Sequence, residues 1–139
     1  MQVQKVQTKD DWKVSFSLIK QLRTHLTEES YFEHLQQMPN YQGWVVFDGT
    51  PKAFIGFEER HNFYNERHLF VHDFVTDEKE RSKGYGEKLI AALITYAEKH
   101  QFSYIALESG IQRTEAHRFY EDKMGFHKWC YSFRKGIDW

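Results

Sequence analysis

The chain has 139 residues, of which 40% are hydrophobic and 17% aromatic, and its 19 Lys and Arg residues nearly balance 20 Asp and Glu. This length predicts a single domain with its own core, and a net charge of −1 provides no general attraction to nucleic acid or to an anionic membrane. The longest apolar run, Leu89 to Ile94, is too short to span a membrane, and Cys130 has no partner for an internal disulfide. Because the first residues are also unlike a signal peptide, we expect a cytoplasmic protein that binds neither nucleic acid nor membrane.

The first half of the chain predicts a strand, two helices and a β-hairpin. Apolar residues at helical spacing form one face of the first helix, and Arg23 falls within that face. Thr27 resembles the N-cap of the second helix, and Asp48-Gly49 is a turn dipeptide between two β-rich runs. The predicted elements are a strand at 3–8, helices at 10–26 and 27–38, and hairpin strands at 41–47 and 52–59.

The second half alternates between strands and helices. Its predicted elements are strands at 68–75, 103–108 and 126–135 and helices at 85–100 and 115–124, the last helix being stopped by Gly125. Strands that alternate with helices pack on one sheet through crossover connections. We therefore predict an α/β fold: a single-domain, mixed, mostly antiparallel central sheet flanked by helices on both faces, in the order β-α-α-β-β-β-α-β-α-β.

The stretch "RSKGYG" at the start of the helix at 85–100 has the features of an anion site. The first backbone N–H groups of a helix have no partner within the helix, and the helix dipole is positive at that end. Gly84 and Gly86 provide bare backbone that a phosphate can approach, and Arg81 and Lys83 add positive charge. The stretch lacks the Lys-Ser/Thr ending of a P-loop and the third glycine of a dinucleotide-binding motif. Taken alone, it is equally consistent with a solvated helix start.

A second motif gives this loop a context. The order "DFVTDEKERSKGYGEKLI" and then "AHRFYEDKMGF" resembles the GNAT superfamily of N-acetyltransferases, in the strand, phosphate loop and helix that bind acetyl-CoA and in a later A-x-x-F-Y-x-x-x-G-F helix. The resemblance is close over residues 69–126. It implies acetyl-CoA as the acetyl donor and direct transfer to a primary amine of a small molecule or peptide.

The resemblance also implies roles for individual residues. Tyr120 occupies the position of the family's general acid, which protonates the departing CoA thiolate, and Val75 N–H would polarise the thioester carbonyl. The residues that the resemblance assigns to acetyl-CoA are Phe74, Val75 and Thr76 on the strand, Arg81, Ser82, Lys83, Gly84, Tyr85 and Gly86 in the loop, and Ala116 and Phe119 on the later helix.

The base that deprotonates the amine is less defined by the sequence. Strand alternation places Asp73 on one face and His72 on the other, although a bulge would exchange these sets, so either could face the cleft. Glu108 ends the next strand, where cleft residues of open sheets tend to lie, and Glu58 and Glu59 close the hairpin. Glu108 and Asp73 are the leading candidates, and an ordered water is an alternative.

Two features depart from the common pattern of the family. Arg113 lies three residues before Ala116, at a position where an asparagine is frequent in the family, in a variant that reads S-G-x-x-R-x-x-A-H-R-F-Y. Arg113 could bind a CoA phosphate or a substrate carboxylate, or lie on the surface. The closing hairpin is shortened to one strand, residues 129–135, and an unpaired edge strand favours a homodimer. We expect no metal, because His68 and His72 would lie about 13 Å apart in a strand.

Three functions are therefore consistent with the sequence. The first is an acetyl-CoA-dependent N-acetyltransferase with Tyr120 as general acid. The alternatives are a non-catalytic acyl-CoA binding module, in which the loop is kept and Tyr120 is idle, and an interaction domain without a cofactor. Because acceptors vary with the N-terminal half of the fold, the sequence does not identify the amine.

Overall fold

The structure is a computed structural model that describes residues 1–138. These residues form two compact units, Met1–Leu107 and the residues from Glu108 onward. The first unit contains the whole β-sheet and three of the four α-helices, and the second contains the remaining helix and the C-terminal segment.

The first unit is built on a five-stranded mixed sheet in the order β1-β2-β3-β4-β5. The first four strands are antiparallel neighbours, and β5 runs parallel to β4. The tight β2–β3 turn at Asp48 and Gly49 confirms the predicted hairpin. The strands are β1 (Gln2–Lys5), β2 (Gln42–Asp48), β3 (Thr50–Asn62), β4 (Glu66–Thr76) and β5 (Tyr104–Leu107).

The helices begin at residues whose local chemistry satisfies the first turn. Thr8 and Thr27 each form a capping box with the residue three positions later, and these boxes fix the starts of the first two helices. The first helix ends at Leu22, four residues before its predicted end, with Arg23 as its C-cap. The α-helices are α1 (Lys9–Leu22), α2 (Glu28–Gln36), α3 (Tyr85–Lys99) and α4 (Thr114–Arg118).

Helices cover both faces of the sheet in the first unit, as predicted. Val45 packs in a core cluster with Leu18 of α1 and Tyr31 of α2. Trp44, the preceding residue, contacts Tyr96 of α3 with ring centroids 5.4 Å apart. Because neighbouring residues of a strand point to opposite faces, α1 and α2 lie on one face and α3 lies on the other. The fold class is therefore the predicted mixed sheet between helical layers.

A bulge in β4 corrects the simple alternation that the sequence suggested. Asp73 pairs with Gly56, but the next partners are Val71 and Phe57, so His72 is an extra residue in β4. Val71 consequently lies on the α3 face with Phe57, whereas Asp73 lies on the α1 face. This is the exchange of faces that the sequence analysis left open.

The end of the chain differs from the prediction. The predicted helix at 115–124 is present as α4 followed by one π-helical turn, Phe119–Lys123. The predicted last strand is wrong, because residues 126–138 form neither helix nor strand and Tyr131 and Phe133 are more than four-fifths exposed. Alternating apolar residues form a strand only beside a partner strand, and none of the described residues pairs with this segment. The strand on which the predicted homodimer depends is therefore absent from the described residues.

Candidate active site

The loop before α3 has the backbone geometry of an anion-binding turn. Ser82 and Gly84 both adopt left-handed conformations, with φ of +65° and +87°. Gly84 is the N-cap of α3 but provides no side-chain hydrogen bond, so the first N–H groups of the helix, unlike those of α1 and α2, have no cap. Such turns direct backbone N–H groups outward at the positive end of a helix. The predicted anion site therefore has an open, positively polarised helix end.

The charged and polar side chains around this loop form ion pairs and hydrogen bonds at the start of α3. Lys83 Nζ donates to Glu80 Oε2 at 2.5 Å, and Lys52 Nζ donates to the other oxygen of Glu80 at 2.9 Å. The hydrogen bond from Lys83, followed by that from Lys52, lowers the pKa of the Glu80 carboxyl to about 2. Tyr85 is buried and donates its hydroxyl proton to Asp48 Oδ2 at 2.9 Å, which anchors the first turn of α3 to the β2–β3 hairpin.

The glycine at position 86 places α3 against the end of β4. A Cβ atom there would lie 3.0 Å from Phe74 Cζ and 3.2 Å from Thr76 Oγ1, closer than ordinary van der Waals contact. The pairing of β4 with β5 ends at Val71 and Leu107, while β4 continues to Thr76. The last residues of β4 thus extend past the end of β5, directly beside the loop. The structure brings the predicted strand segment and the predicted phosphate loop together.

In the second unit, Tyr120 lies in the π turn that follows α4. Met124 N–H donates to Phe119 O, the i to i−5 bond of a π turn, and such turns occur frequently at functional sites. The Tyr120 ring packs against Phe119 and Phe126 at centroid distances of 5.6 and 5.7 Å. Burial raises the pKa of the Tyr120 hydroxyl, and the charge of Arg113 opposes this only in part. Tyr120 consequently keeps its proton at neutral pH.

The other predicted residues of the second unit lie before α4, within it and at the start of the π turn. Glu108 is exposed and accepts a hydrogen bond from Arg134 Nη2. Arg113 is the exposed N-cap residue of α4, and its N–H donates to Gly110 O at 3.0 Å. Ala116 and Phe119 are half-buried. The buried hydroxyl of Ser109 has no hydrogen-bond partner within residues 1–138, which is uncommon for a buried polar group.

Asp73 is held in the first unit by two side chains that the sequence analysis did not connect with it. Arg23 Nε donates to Asp73 Oδ1 at 2.9 Å, and Tyr41 Oη donates to Asp73 Oδ2 at 2.5 Å. Arg23 Nη2 also donates to the carbonyl of His72 at 3.0 Å. With both oxygens engaged, the Asp73 carboxylate links α1 and the loop before β2 to the bulge of β4.

A polar cavity of about 360 Å³ lies on the same face, lined by Tyr41, Glu58, Arg60, His72 and residues 37–40. His72 Nε2 lies 3.1 Å from Glu58 Oε1, and Arg60 Nε donates to the same oxygen at 2.5 Å. Burial raises the pKa of the Glu58 carboxyl, but the hydrogen bonds from Arg60 and His72 outweigh it and the net pKa is lowered. Glu59 lies on the opposite face, where it accepts a hydrogen bond from Tyr96.

Comparison with known proteins identifies the family. Residues 9–126 match the Acetyltransferase (GNAT) family. The chain belongs to the GNAT family. This match includes α1, strands β2 to β5, the loop before α3, and α4 with the π turn that carries Tyr120. The resemblance that rested on two motifs thus extends over most of the chain.

Individual relatives agree with this assignment. The N-acetyltransferase YhdJ of Bacillus subtilis (strain 168), itself uncharacterised, is 37% identical over 134 residues, which cover 94% of each chain. Among solved structures, ribosomal-protein-alanine N-acetyltransferase from Brucella melitensis biovar Abortus 2308 has a TM-score of 0.80 at 19% identity, covering 98% of this chain and 100% of that one. AAC(6')-Iy in complex with a CoA bisubstrate analogue has a TM-score of 0.78 at 18% identity, covering 99% and 100%. These two structures support the GNAT fold.

The geometry fits acetyl-CoA, the acetyl donor of GNAT enzymes. The uncapped start of α3 and the left-handed Ser82 and Gly84 suit the pyrophosphate, and the extension of β4 past β5 leaves strand backbone for an extended arm.

No helix within residues 1–138 is long and apolar enough to cross a membrane. In the same residues, no three His, Cys, Asp or Glu side chains gather where they could hold a metal ion.

The clamp that Arg23 and Tyr41 form on the Asp73 carboxylate was not predicted from the sequence. The available signal was a charged residue within the apolar stripe of the first helix, which indicates a guanidinium that reaches a partner rather than solvent. Its partner lies 50 residues away in the chain, and nothing local identifies it. The arginine therefore indicates that a contact exists but not which residue makes it.

Proposed function

We propose that this GNAT enzyme transfers the acetyl group of acetyl-CoA directly to a primary amine of a small molecule or peptide. The observation that supports this most is the uncapped N-terminus of α3 pressed against the end of β4, with only 3.0 Å between the position of a Gly86 Cβ and Phe74 Cζ. In this proposal the backbone N–H groups of residues 82–87 bind the pyrophosphate, with Arg81 and Lys83 at the rim.

Acetyl-CoA supplies the activated thioester, and the residues of the chain align and polarise it. The backbone of residues 74–76 would pair with the pantetheine arm, and Val75 N–H would donate to the acetyl oxygen as negative charge develops there. Arg113, Ala116 and Phe119 are further proposed contacts of the cofactor. Alignment of the amine with the thioester and stabilisation of the oxyanion both strengthen toward the transition state, and therefore raise kcat.

Tyr120 is the proposed general acid for the departing thiolate. A tyrosine hydroxyl is protonated at neutral pH, and burial raises the pKa of Tyr120 further. The π turn together with two aromatic neighbours restricts its position. A positioned acid contributes roughly 100-fold or more to the rate. The sequence favoured two carboxylates as bases, and both have partners. Glu108 is exposed and paired with Arg134, and both oxygens of Asp73 accept hydrogen bonds, from Arg23 and Tyr41.

The experiment is a free-thiol release assay with acetyl-CoA and a panel of primary amines, together with a thermal scan. We expect acetyl-CoA at about 100 times its Kd to stabilise the protein by about 2.7 kcal/mol, and at least one amine to release thiol. Tyr120→Phe should lower kcat about 100-fold with little change in affinity for CoA. Stabilisation by acetyl-CoA without thiol release would favour a non-catalytic binding module, and an unchanged rate in Tyr120→Phe would remove Tyr120 from the acid role.

A further inference from the structure

The polar cavity adjoins a second, apolar groove in the first unit. The groove has a volume of about 450 Å³ and is lined by Trp12, Phe32, Leu35, Met38, Pro39 and Tyr41, with Lys9 at one side. Met38, Pro39 and Tyr41 line both spaces, so the two lie side by side. A single molecule could therefore place a polar group in the cavity and an apolar body in the groove.

The polar end contains the groups needed to take a proton from an ammonium. A hydrogen bond from His72 Nε2 to Glu58 leaves Nδ1 as the ring atom with a free lone pair, and a neutral imidazole accepts protons near neutral pH. The Glu58 carboxylate is kept ionised by its lowered pKa, so it also stabilises the imidazolium that forms. Glu58 is thus a positioning residue and His72 the proton acceptor.

The bulge puts His72 where β4 parts from β5. Pairing with β5 ends at Val71, the residue immediately before His72, and the segment proposed to bind the thioester begins two residues after it. Arg23 holds the carbonyl of His72 and the carboxylate of Asp73, which fixes the bulge. A base at this point lies next to the segment at which the acetyl group is proposed to react.

The charges around the two spaces discriminate between classes of amine. Lys9 Nζ lies 5.5 Å from the centre of the Phe32 ring in the groove, and Arg60 lines the cavity. Among the residues that line the two spaces, Glu58 has the only carboxylate, and Arg60 already forms an ion pair with it. An acceptor with several positive charges would place the additional ones near Lys9 and Arg60, whereas an acceptor with one ammonium and an apolar body would not.

We propose that the acceptor of this enzyme is a primary monoamine with an apolar, ring-sized body, bound with its nitrogen in the polar cavity and its body in the apolar groove, and that His72 takes the proton from its ammonium. The ammonium loses one proton to His72, its nitrogen then forms the C–N bond as the C–S bond breaks, and the second nitrogen proton leaves while the thiolate gains one. The products are an N-acetylamine, a thiol and one released proton. This inference rests on the proposed acetyl transfer.

Amine preference tests the substrate class. We expect 2-phenylethylamine to exceed ethylamine in kcat/KM by about tenfold or more, because burying a ring of that size gives at least this factor, and to exceed spermidine and kanamycin. Lys9→Glu should raise turnover of spermidine relative to 2-phenylethylamine, whereas Lys5→Glu, the same charge change at an exposed residue of β1, should not. Preferred turnover of spermidine or kanamycin would overturn the substrate class while the proposed acetyl transfer stands. If none of the amines in the panel caused thiol release, both the substrate class and the proposed acetyl transfer would be overturned.

Binding to the protein without acetyl-CoA provides a second, independent measurement. In NMR spectra of the histidine rings, 2-phenylethylamine should shift the His72 signals and leave those of His61, an exposed histidine of β3, unchanged. Phe32→Ala should weaken this binding, and Phe63→Ala, at the exposed tip of the β3–β4 hairpin, should not. An unshifted His72 ring at saturating amine would exclude the cavity as the acceptor site.

Kinetics of two variants test the role of His72 itself. His72→Gln should lower kcat about 100-fold and remove the acid limb of the pH profile of kcat/KM. Glu58→Gln should shift that limb. The control variant His61→Gln should keep the wild-type kcat and the wild-type acid limb. The charged and titratable groups next to His72 are Glu58 and Arg60 on β3, Tyr41 before β2 and Asp73 in β4. Arg23, at the end of α1, donates to the His72 carbonyl. A profile that retains its acid limb in His72→Gln would contradict the assignment.

Discussion

Substitution of Gly84 by alanine separates backbone strain from loss of cofactor binding. A Cβ at Gly84 meets nothing within 4 Å in the free protein, so only a bound anion would contact it. The left-handed φ of +87° costs a residue with a Cβ about 1–2 kcal/mol. For 139 residues the entropy of unfolding is about 0.3 kcal/mol/K, which converts this cost into a decrease in Tm of about 3–7 °C.

Gly49→Ala is the matched control. Gly49 has a similar φ of +81° and also has nothing within 4 Å of its Cβ position, but it lies in the β2–β3 turn. Both variants should therefore lose the same stability without ligand. In the proposed complex the added methyl group at position 84 lengthens charge-assisted hydrogen bonds, each worth about 1.5–3 kcal/mol, so acetyl-CoA should bind Gly84→Ala at least about tenfold more weakly.

The assay is a thermal scan with and without acetyl-CoA. At about 100 times the wild-type Kd, the ligand should raise the Tm of the wild type and of Gly49→Ala by about 9 °C, but that of Gly84→Ala by about 5 °C or less. Equal ligand-induced shifts in Gly84→Ala and Gly49→Ala would refute the pyrophosphate site at the start of α3.

Three further predictions concern the framework of the site. In Gly56→Ala the new Cβ would lie 1.7 Å from Tyr41 Oη, so Tyr41 must move and lose its hydrogen bond to Asp73; we expect urea denaturation to show a loss of about 2 kcal/mol or more, and an unchanged midpoint would contradict the clamp. Thr8→Ala removes the capping box of α1 and should cost about 1 kcal/mol, seen as a Tm lower by about 3 °C, whereas no change would show that the cap is dispensable. Hydrogen bonds from Lys83 and Lys52 depress the pKa of Glu80 from 4.5 to about 2, so its stabilising contribution is complete above pH 4.5 and is lost as the pH falls toward 2. Acid titration of stability should therefore be flatter for Glu80→Gln than for the wild type, and identical slopes would contradict the ion pairs.

Local chemistry allowed the sequence to predict much of the fold and the cofactor loop. The β2–β3 hairpin follows from Asp48-Gly49, because this dipeptide fits a tight turn whatever surrounds it. The start of α3 follows from Gly84, whose left-handed conformation is part of the loop itself. Each of these features depends on residues that are close together in the chain.

Features that depend on distant partners were not predictable in the same way. Residues on both faces of β4 are covered by helices, so burial alone does not reveal that His72 is an extra residue; the bulge is defined only by the register with β3. Similarly, Trp129 and Phe133 alternate as in a strand, but the pattern does not supply a neighbour to pair with. The contact of Arg23 with Asp73 joins residues 50 positions apart.

The most direct test of the account is an NMR titration of ¹⁵N-labelled protein with CoA, monitoring the backbone amides. The central claim is that the open N-terminal end of α3 binds the pyrophosphate beside the end of β4. The account predicts that the largest shifts occur at the amides of residues 82–87 and 74–76. Saturable binding with these amides unchanged and the largest shifts elsewhere in the chain would contradict it.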